Sequence, residues 1–286
     1  MRIANLSGRL VLVDGTVALD VHTASAGRFG PSPSDAFADW GAFSQWAQQV
    51  DVATHAQRAP FSTADLGAPS PLPRQVVAVG LNYADHAAES GLPLPDEPVV
   101  FTKFASSVAG PEVSVRLPGE TVDWEAELVI VVGRGGRDIA REDALSRIAG
   151  LTVGQDLSER SVQWQATPPQ FSMGKSFENF TPTGPVIATL DEFADPDRLA
   201  ISATIIAADG TSTRVQDGST DQLVFGIAEL VSRLSRTLEL LPGDLIFTGT
   251  PPGVGAGMDP KRFLVDGETL VTEIEGIGSI VQRFHA

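Results

Sequence analysis

The segment Asp123-Trp-Glu-Ala-Glu-Leu-Val-Ile-Val-Val132 constrains this chain more than any other. Leu128 to Val132 is continuously apolar and mostly β-branched, which predicts a buried strand. In a strand, residues i and i+2 share a face, so Asp123, Glu125 and Glu127 would lie together opposite Trp124, Ala126 and Leu128. Like charges about 4 Å apart repel by ~4 kcal/mol at an effective dielectric of 20. A strand that carries two or three carboxylates into a core therefore needs a cation beside them. Oxygen donors alone favour Mg2+, Mn2+ or Ca2+ over zinc. A solvated strand face is the alternative reading of the same spacing.

Two further segments bear on chemistry. In Gly80-Leu-Asn-Tyr-Ala-Asp-His-Ala-Ala-Glu-Ser-Gly91, Asn82 suits a helix N-cap and Gly91 a C-terminal stop. His86 and Glu89 stand i,i+3 on one face of that short helix. A carboxylate beside a histidine raises its basicity and fixes its tautomer, as a general base for water requires. Breakers on both sides suit a mobile lid, and a surface His–Glu pair is the plainer reading. Next come Gly154-Gln-Asp-Leu-Ser-Glu-Arg-Ser-Val-Gln163 and Phe171-Ser-Met-Gly-Lys-Ser-Phe177. The chain has only three lysines, Lys103, Lys175 and Lys261, and the first two sit in motifs of this kind. Near a metal, such a lysine can hold a substrate carboxylate or a developing oxyanion.

Composition narrows the remaining classes. With 286 residues, 42% apolar and 20% charged, the chain can bury a sizeable core as one large domain or two unequal ones. The net charge of −16 repels phosphate backbones and anionic lipid surfaces, so neither nucleic acid nor membrane is expected as a partner. Cysteine is absent, which removes disulfides, thiolate nucleophiles and cysteine-ligated metals. No apolar run approaches the ~18 residues of a membrane span, and no signal-peptide pattern opens the chain; a cytoplasmic protein is the expectation. Serine-hydrolase elbow, H-E-x-x-H and Walker A patterns are missing.

Residues 1–70 read as a small α+β unit. Arg9 to Val13 and Thr16 to Asp20 form strands about an Asp14-Gly15 turn. A helix capped at Ser34 or Asp35 follows, with Phe37, Trp40, Phe43 and Trp46 as a core stripe. The proline-rich stretch Ala68 to Pro73 is a linker candidate, which divides the chain into 1–70 and 71–286. Strands are expected at Val76–Val79, Leu128–Val132, Ala200–Ala207 and Asp244–Thr248, and helical pattern at Arg141–Ala149 and Thr220–Leu234.

Taken together, the motifs resemble those of the fumarylacetoacetate hydrolase family. In order they are Gly80-Leu-Asn-Tyr-Ala-Asp-His86, Phe101-Thr-Lys103, Asp123-Trp-Glu-Ala-Glu-Leu128, Gln155-Asp-Leu-Ser-Glu-Arg160, Gly174-Lys-Ser-Phe177, Pro182-Thr-Gly-Pro185, Pro242-Gly-Asp-Leu-Ile-Phe-Thr-Gly-Thr-Pro251 and Ile274-Glu-Gly-Ile-Gly278. The resemblance implies an α+β, mainly β fold in which a rolled mixed sheet surrounds the site, with a small N-terminal α+β domain, in a homodimer. It implies Glu125, Glu127 and Asp156 as ligands of Mg2+ or Mn2+, and His86 with Glu89 as the water-activating dyad. Lys175 is implied as the oxyanion contact, and Lys103, Arg160, Gln163 and Thr250 as substrate contacts. Gln155, Glu159 and Ser161 depart from the family pattern of Asn, a small residue and Asp. The activity implied is metal-dependent C–C bond hydrolysis of an acylpyruvate or other β-diketo acid. Decarboxylation of oxaloacetate and isomerisation of a 2-hydroxy-dienedioate use the same enolate chemistry and are the alternatives.

Overall fold

The computed structural model describes residues 1–85 and 94–286. Its largest sheet runs, strand by strand, Ala59–Pro60, Val17–Asp20, Arg9–Asp14, Arg2–Leu6, Thr181–Ala188, Ile148–Gln155, Ala126–Val132, Leu245–Phe247, Val76–Gly80 and Val99–Thr102. The pairings are antiparallel along most of its length, and Leu245–Phe247 runs parallel to Val76–Gly80. A five-stranded sheet, in the order Ser212–Ser219, Ala200–Ile206, Thr269–Ile274, Gly278–His285 and Glu112–Arg116, packs against it. The architecture is the mainly β, α+β arrangement expected.

The central strand Ala126–Val132 is buried at every residue. Its alternation splits the core in two. Leu128, Ile130 and Val132 pack with Ile201, Ile205, Leu270 and Ile280 of the second sheet. Val129 and Val131 pack on the opposite face with Phe37, Trp40 and Phe43. A strand buried on both faces reads as a continuous apolar run for this reason. The aromatic stripe of the N-terminal segment is thus the cover of one sheet face.

That stripe is carried by two short helices. A 3-10 turn, Pro33–Phe37, is capped by Ser32, and the α-helix Trp40–Ala47 is capped by Asp39, whose side chain accepts from Ala42 N. The single helix capped at Ser34 or Asp35 is corrected accordingly; Asp35 instead closes a capping box on Ser32. The hydrogen-bonded sheet also crosses the boundary expected near residue 70. Arg2 and Ile3 pair with Ala188 and Ile187, and Leu66 pairs back on Leu6.

Two helical expectations change at their ends. Arg141–Ala144 is helical, but Ile148 already opens the strand that pairs with Ala126–Val132. The helical pattern expected from Thr220 is interrupted: Thr220–Gln222 forms a 3-10 turn and the α-helix begins only at Ile227, because Val224 N and Phe225 N bond the carbonyl and side-chain oxygens of Asn82. No described helix is long and apolar enough to cross a membrane.

Candidate metal centre and its cavity

Two paired strands bring the carboxylates together. Ala126 lies opposite Gln155 and Glu127 opposite Gly154, so Glu125, Glu127 and Asp156 meet at one end of this strand pair. Asp156 N donates to Glu125 O at 2.9 Å, which fixes the close approach. One oxygen from each of the three lies within 4.8 Å of the others. All are buried. The alternative of a solvated face is thereby excluded for Glu125 and Glu127.

Asp123 does not join them. The strand breaks at Trp124, and Asp123 belongs to a separate pair with Ser158. Its carboxylate accepts from Gly255 N (2.7 Å) and Ala256 N (3.0 Å) and is held by Arg160 at 2.7 Å.

Three cations surround the cluster. Lys175 Nζ bridges Glu125 (2.8 Å) and Asp156 (2.6 Å) and donates to Ser158 Oγ. Arg160 pairs with Glu125 at 2.8 Å and donates to Gln163 Oε1. Lys103 Nζ reaches Asp156 and the carbonyl of Lys175. Four carboxylates, counting Asp123, thus face three cations, leaving a formal charge of −1.

The proton affinities follow from this arrangement. Burial pushes the Glu125 carboxyl up, but Lys175 and Arg160 outweigh it and hold the group at about 2. Glu127 is pushed well above the ordinary carboxyl range by burial, then by Asp156 and Glu125. Among the described residues no cation pairs with it; Gly249 N donates to it at 2.7 Å. Burial lowers Lys175, yet Asp156 and Glu125 raise it overall, so it stays an ammonium. Burial dominates at Lys103, which is lowered.

The donor set fits a hard divalent cation. Three carboxylates converge, and Glu127 lacks the counter-charge that the other two possess. Glycine is required at position 249, where φ is +98° and a Cβ would stand 2.9 Å from Asn82 Cβ. That backbone is what aims its N–H at Glu127.

A cavity of about 560 Å3 opens over this centre. Glu125, Glu127, Arg160, Gln163, Lys175 and Thr250 line its polar end, and Val79, Leu81, Phe101, Trp164, Phe171 and Val254 its wall. The Phe101 ring lies 5.1 Å from Lys175 Nζ, stacks edge-on with Phe171, and Phe171 meets Trp164 in the same way.

The structure therefore gathers Glu125, Glu127, Asp156, Lys175, Arg160, Gln163 and Thr250 around one site. Lys103, expected as a substrate contact, does not line the cavity; it is fully buried and engaged with Asp156. Its motif shows a polar role but not which side of the carboxylate it supports. His86 and Glu89 lie outside the described residues.

The three departures from the family pattern turn away from the cavity. Gln155 accepts from Glu125 N and donates to Thr272 Oγ1. Glu159 Oε1 accepts from the hydroxyl of Ser161 at 2.6 Å and from Thr121, while its Oε2 is buried with no hydrogen-bond partner among the described residues. Lys261 and the aromatic wall also line the cavity and were not foreseen as site residues. The scarcity of lysine was the available signal for the first.

A mixed sheet with a cavity over three converging buried carboxylates has the layout of an enzyme site whose donors could hold a divalent cation. The model of the fumarylacetoacetate (FAA) hydrolase C-terminal domain matches residues 75–285, and the chain belongs to this family. It is 41% identical over 234 residues to the mitochondrial oxaloacetate tautomerase FAHD2B of Bos taurus, covering 81% of this chain and 73% of the relative. Among solved structures it is similar to a candidate HpcE protein from Mycobacterium smegmatis, at 51% identity and a TM-score of 0.91 over 100% of this chain and 99% of the other. It is also similar to 5-carboxymethyl-2-hydroxymuconate delta-isomerase from the same organism, at 29% identity and a TM-score of 0.75 over 100% and 98%.

Proposed function

We propose that the chain is an Mg2+- or Mn2+-dependent tautomerase or isomerase of 2-oxo acids that works through their enol forms. The observation that carries this reading is the charge of the centre. A formal −1 becomes +1 when a divalent cation joins Glu125, Glu127 and Asp156, and that excess suits an anionic keto acid. The metal supplies a Lewis acid that lowers the energy of an enolate.

The chain's own groups do the rest. Arg160 and Lys175 line the cavity, and their carboxylate neighbours keep both protonated. Arg160 acts as a donor to a substrate carboxylate, and Lys175, whose three N–H groups hold Glu125, Asp156 and Ser158, would turn to the oxygen on which charge develops once a cation takes those carboxylates. Lys103 fixes Asp156 from behind. Thr250 donates to Ala126 O and accepts from Gln216, so its hydroxyl is a rigid part of the floor.

The relatives support enol chemistry, being a tautomerase and an isomerase by name. Hydrolysis of an acylpyruvate is the second reading. It draws on the His86–Glu89 spacing, which suits activation of water. A homodimer and a cytoplasmic location, both expected from the sequence, belong to this proposal, although the bovine relative is mitochondrial.

The test is a spectrophotometric panel with Mg2+, Mn2+ or EDTA. Metal-dependent conversion of enol to keto oxaloacetate, or a shifted chromophore of a 2-hydroxy-dienedioate without cleavage, is the expected outcome. Release of pyruvate from an acylpyruvate would establish the hydrolase instead, and carbon dioxide from oxaloacetate a decarboxylase. Turnover that persists in EDTA would sink the metal-dependent reading altogether.

A further inference from the structure

Among the described residues, Lys261 is the cation of the cavity that no carboxylate neutralises. The other cations at the site are engaged with carboxylates: Lys175 with Glu125 and Asp156, Arg160 with Asp123 and Glu125, Lys103 with Asp156. Among the described residues, Lys261 makes no ion pair and its side chain donates no hydrogen bond, yet it lines the same cavity as Glu125, Arg160 and Lys175. In a chain of net charge −16 with three lysines, an uncompensated ammonium at this place is a local exception to the field.

The loop that carries it is anchored on both sides. Gly255 and Ala256 donate to Asp123, the carboxylate that also grips Arg160. Arg262 N returns to Gly255 O at 3.1 Å, and the Arg262 guanidinium lies 5.3 Å over the Trp124 ring and pairs with Glu268. Lys261 and Arg160 are therefore mounted on one frame through Asp123. Between the polar floor and the rim the wall is apolar, with Val79, Phe101, Phe171 and Val254. Such a wall accepts a hydrocarbon or conjugated chain and offers little to a second polar head.

We infer that Lys261 takes the distal carboxylate of a dicarboxylic substrate whose 2-oxo acid head sits at the metal centre, and so selects diacids over monoacids. The inference rests on the 2-oxo acid reading above. Lys261 is exposed, and a free ammonium loses little on meeting a carboxylate near solvent, so its contribution is one of selectivity; a charge-assisted contact there is worth about three- to tenfold in affinity.

The test uses the Mg2+-loaded full chain and calorimetric titration with three probes: oxalate, 2-oxohexanoate and 2-oxohexanedioate. The last two share a chain length and differ by a methyl group against a carboxylate. The wild type should bind the diacid about three- to tenfold more tightly than the monoacid. Lys261→Met should abolish that difference, Lys261→Arg should keep most of it, and neither should change oxalate binding. Equal affinity for both oxo acids in the wild type, or a preference that survives in Lys261→Met, overturns the inference while leaving the metal centre standing. If oxalate itself fails to bind, the 2-oxo acid reading falls, and the assignment of Lys261 with it.

Discussion

At the scale of single residues, Lys175 is the group on which most depends. Its ammonium joins Glu125 to Asp156 inside the protein, with about 2% of its side chain exposed. Removing one partner of a buried pair leaves uncompensated charge and costs about 3–5 kcal/mol. Lys175→Met should therefore lower the melting temperature of the metal-free protein by about 10 °C. Saturating Mg2+ should recover part of that loss, because it returns positive charge to the same carboxylates. Melting curves with and without Mg2+ check this; a variant as stable as the wild type without metal would show that the bridge has no structural role. Turnover should not return with the stability, since a metal cannot replace a directed donor.

At the scale of elements, caps and pairings decide more than propensity. Asp20 ends the Val17–Asp20 strand and caps the turn Val21–Ala24 by accepting from Thr23 N, while Arg9 Nε reaches it at 2.6 Å. The Arg9 hydrogen bond, against a smaller opposing effect of burial, holds Asp20 at about 2. A depressed carboxyl contributes stability above its unfolded value near pH ~4 and loses it as pH falls through its folded value. The contribution is small, since Arg9 is exposed and Asp20 only partly buried, so solvent screens the pair. Asp20→Asn keeps a capping oxygen and removes the charge. The gap in melting temperature between it and the wild type should be present at pH 7 and shrink toward pH 2. A gap unchanged by pH would show that the ion pair has no part in it.

The same scale shows where sequence patterns stop being informative. Arg141–Ala149 carries helical periodicity, but Ile148 and Ala149 are taken by the antiparallel ladder, which gives their backbone groups partners in a buried layer. Likewise Val224 and Phe225 are pulled out of a helix by Asn82, a residue more than a hundred positions away. Neither influence has a local signature.

At the scale of the molecule, the N-terminal segment is the second half of the core. Phe37, Trp40 and Phe43 cover Val129, Val131, Val76 and Phe247 on the face of the large sheet away from the five-stranded one. Deleting residues 1–74 should expose that apolar face together with the Thr181–Ala188 edge, and such surfaces aggregate. The truncated chain should be insoluble or elute as large oligomers on gel filtration. A soluble, cooperatively melting product would show that residues 75–286 complete their own core.

What the sequence determined by itself was local chemistry and pattern. The apolar run Leu128–Val132, the acidic triplet before it, the aromatic stripe and the family motifs were all legible, because they depend on neighbours a few residues apart. The strand register then decided which carboxylates meet: Glu125 and Glu127 join Asp156, while Asp123 is diverted to Arg160 and the Gly255 loop. The side of Asp156 on which Lys103 lies, and the place of Lys261 on the cavity wall, were also settled by packing alone. A charged side chain finds its partner through space, and the distances that fix Coulomb energy are set only when distant strands pair.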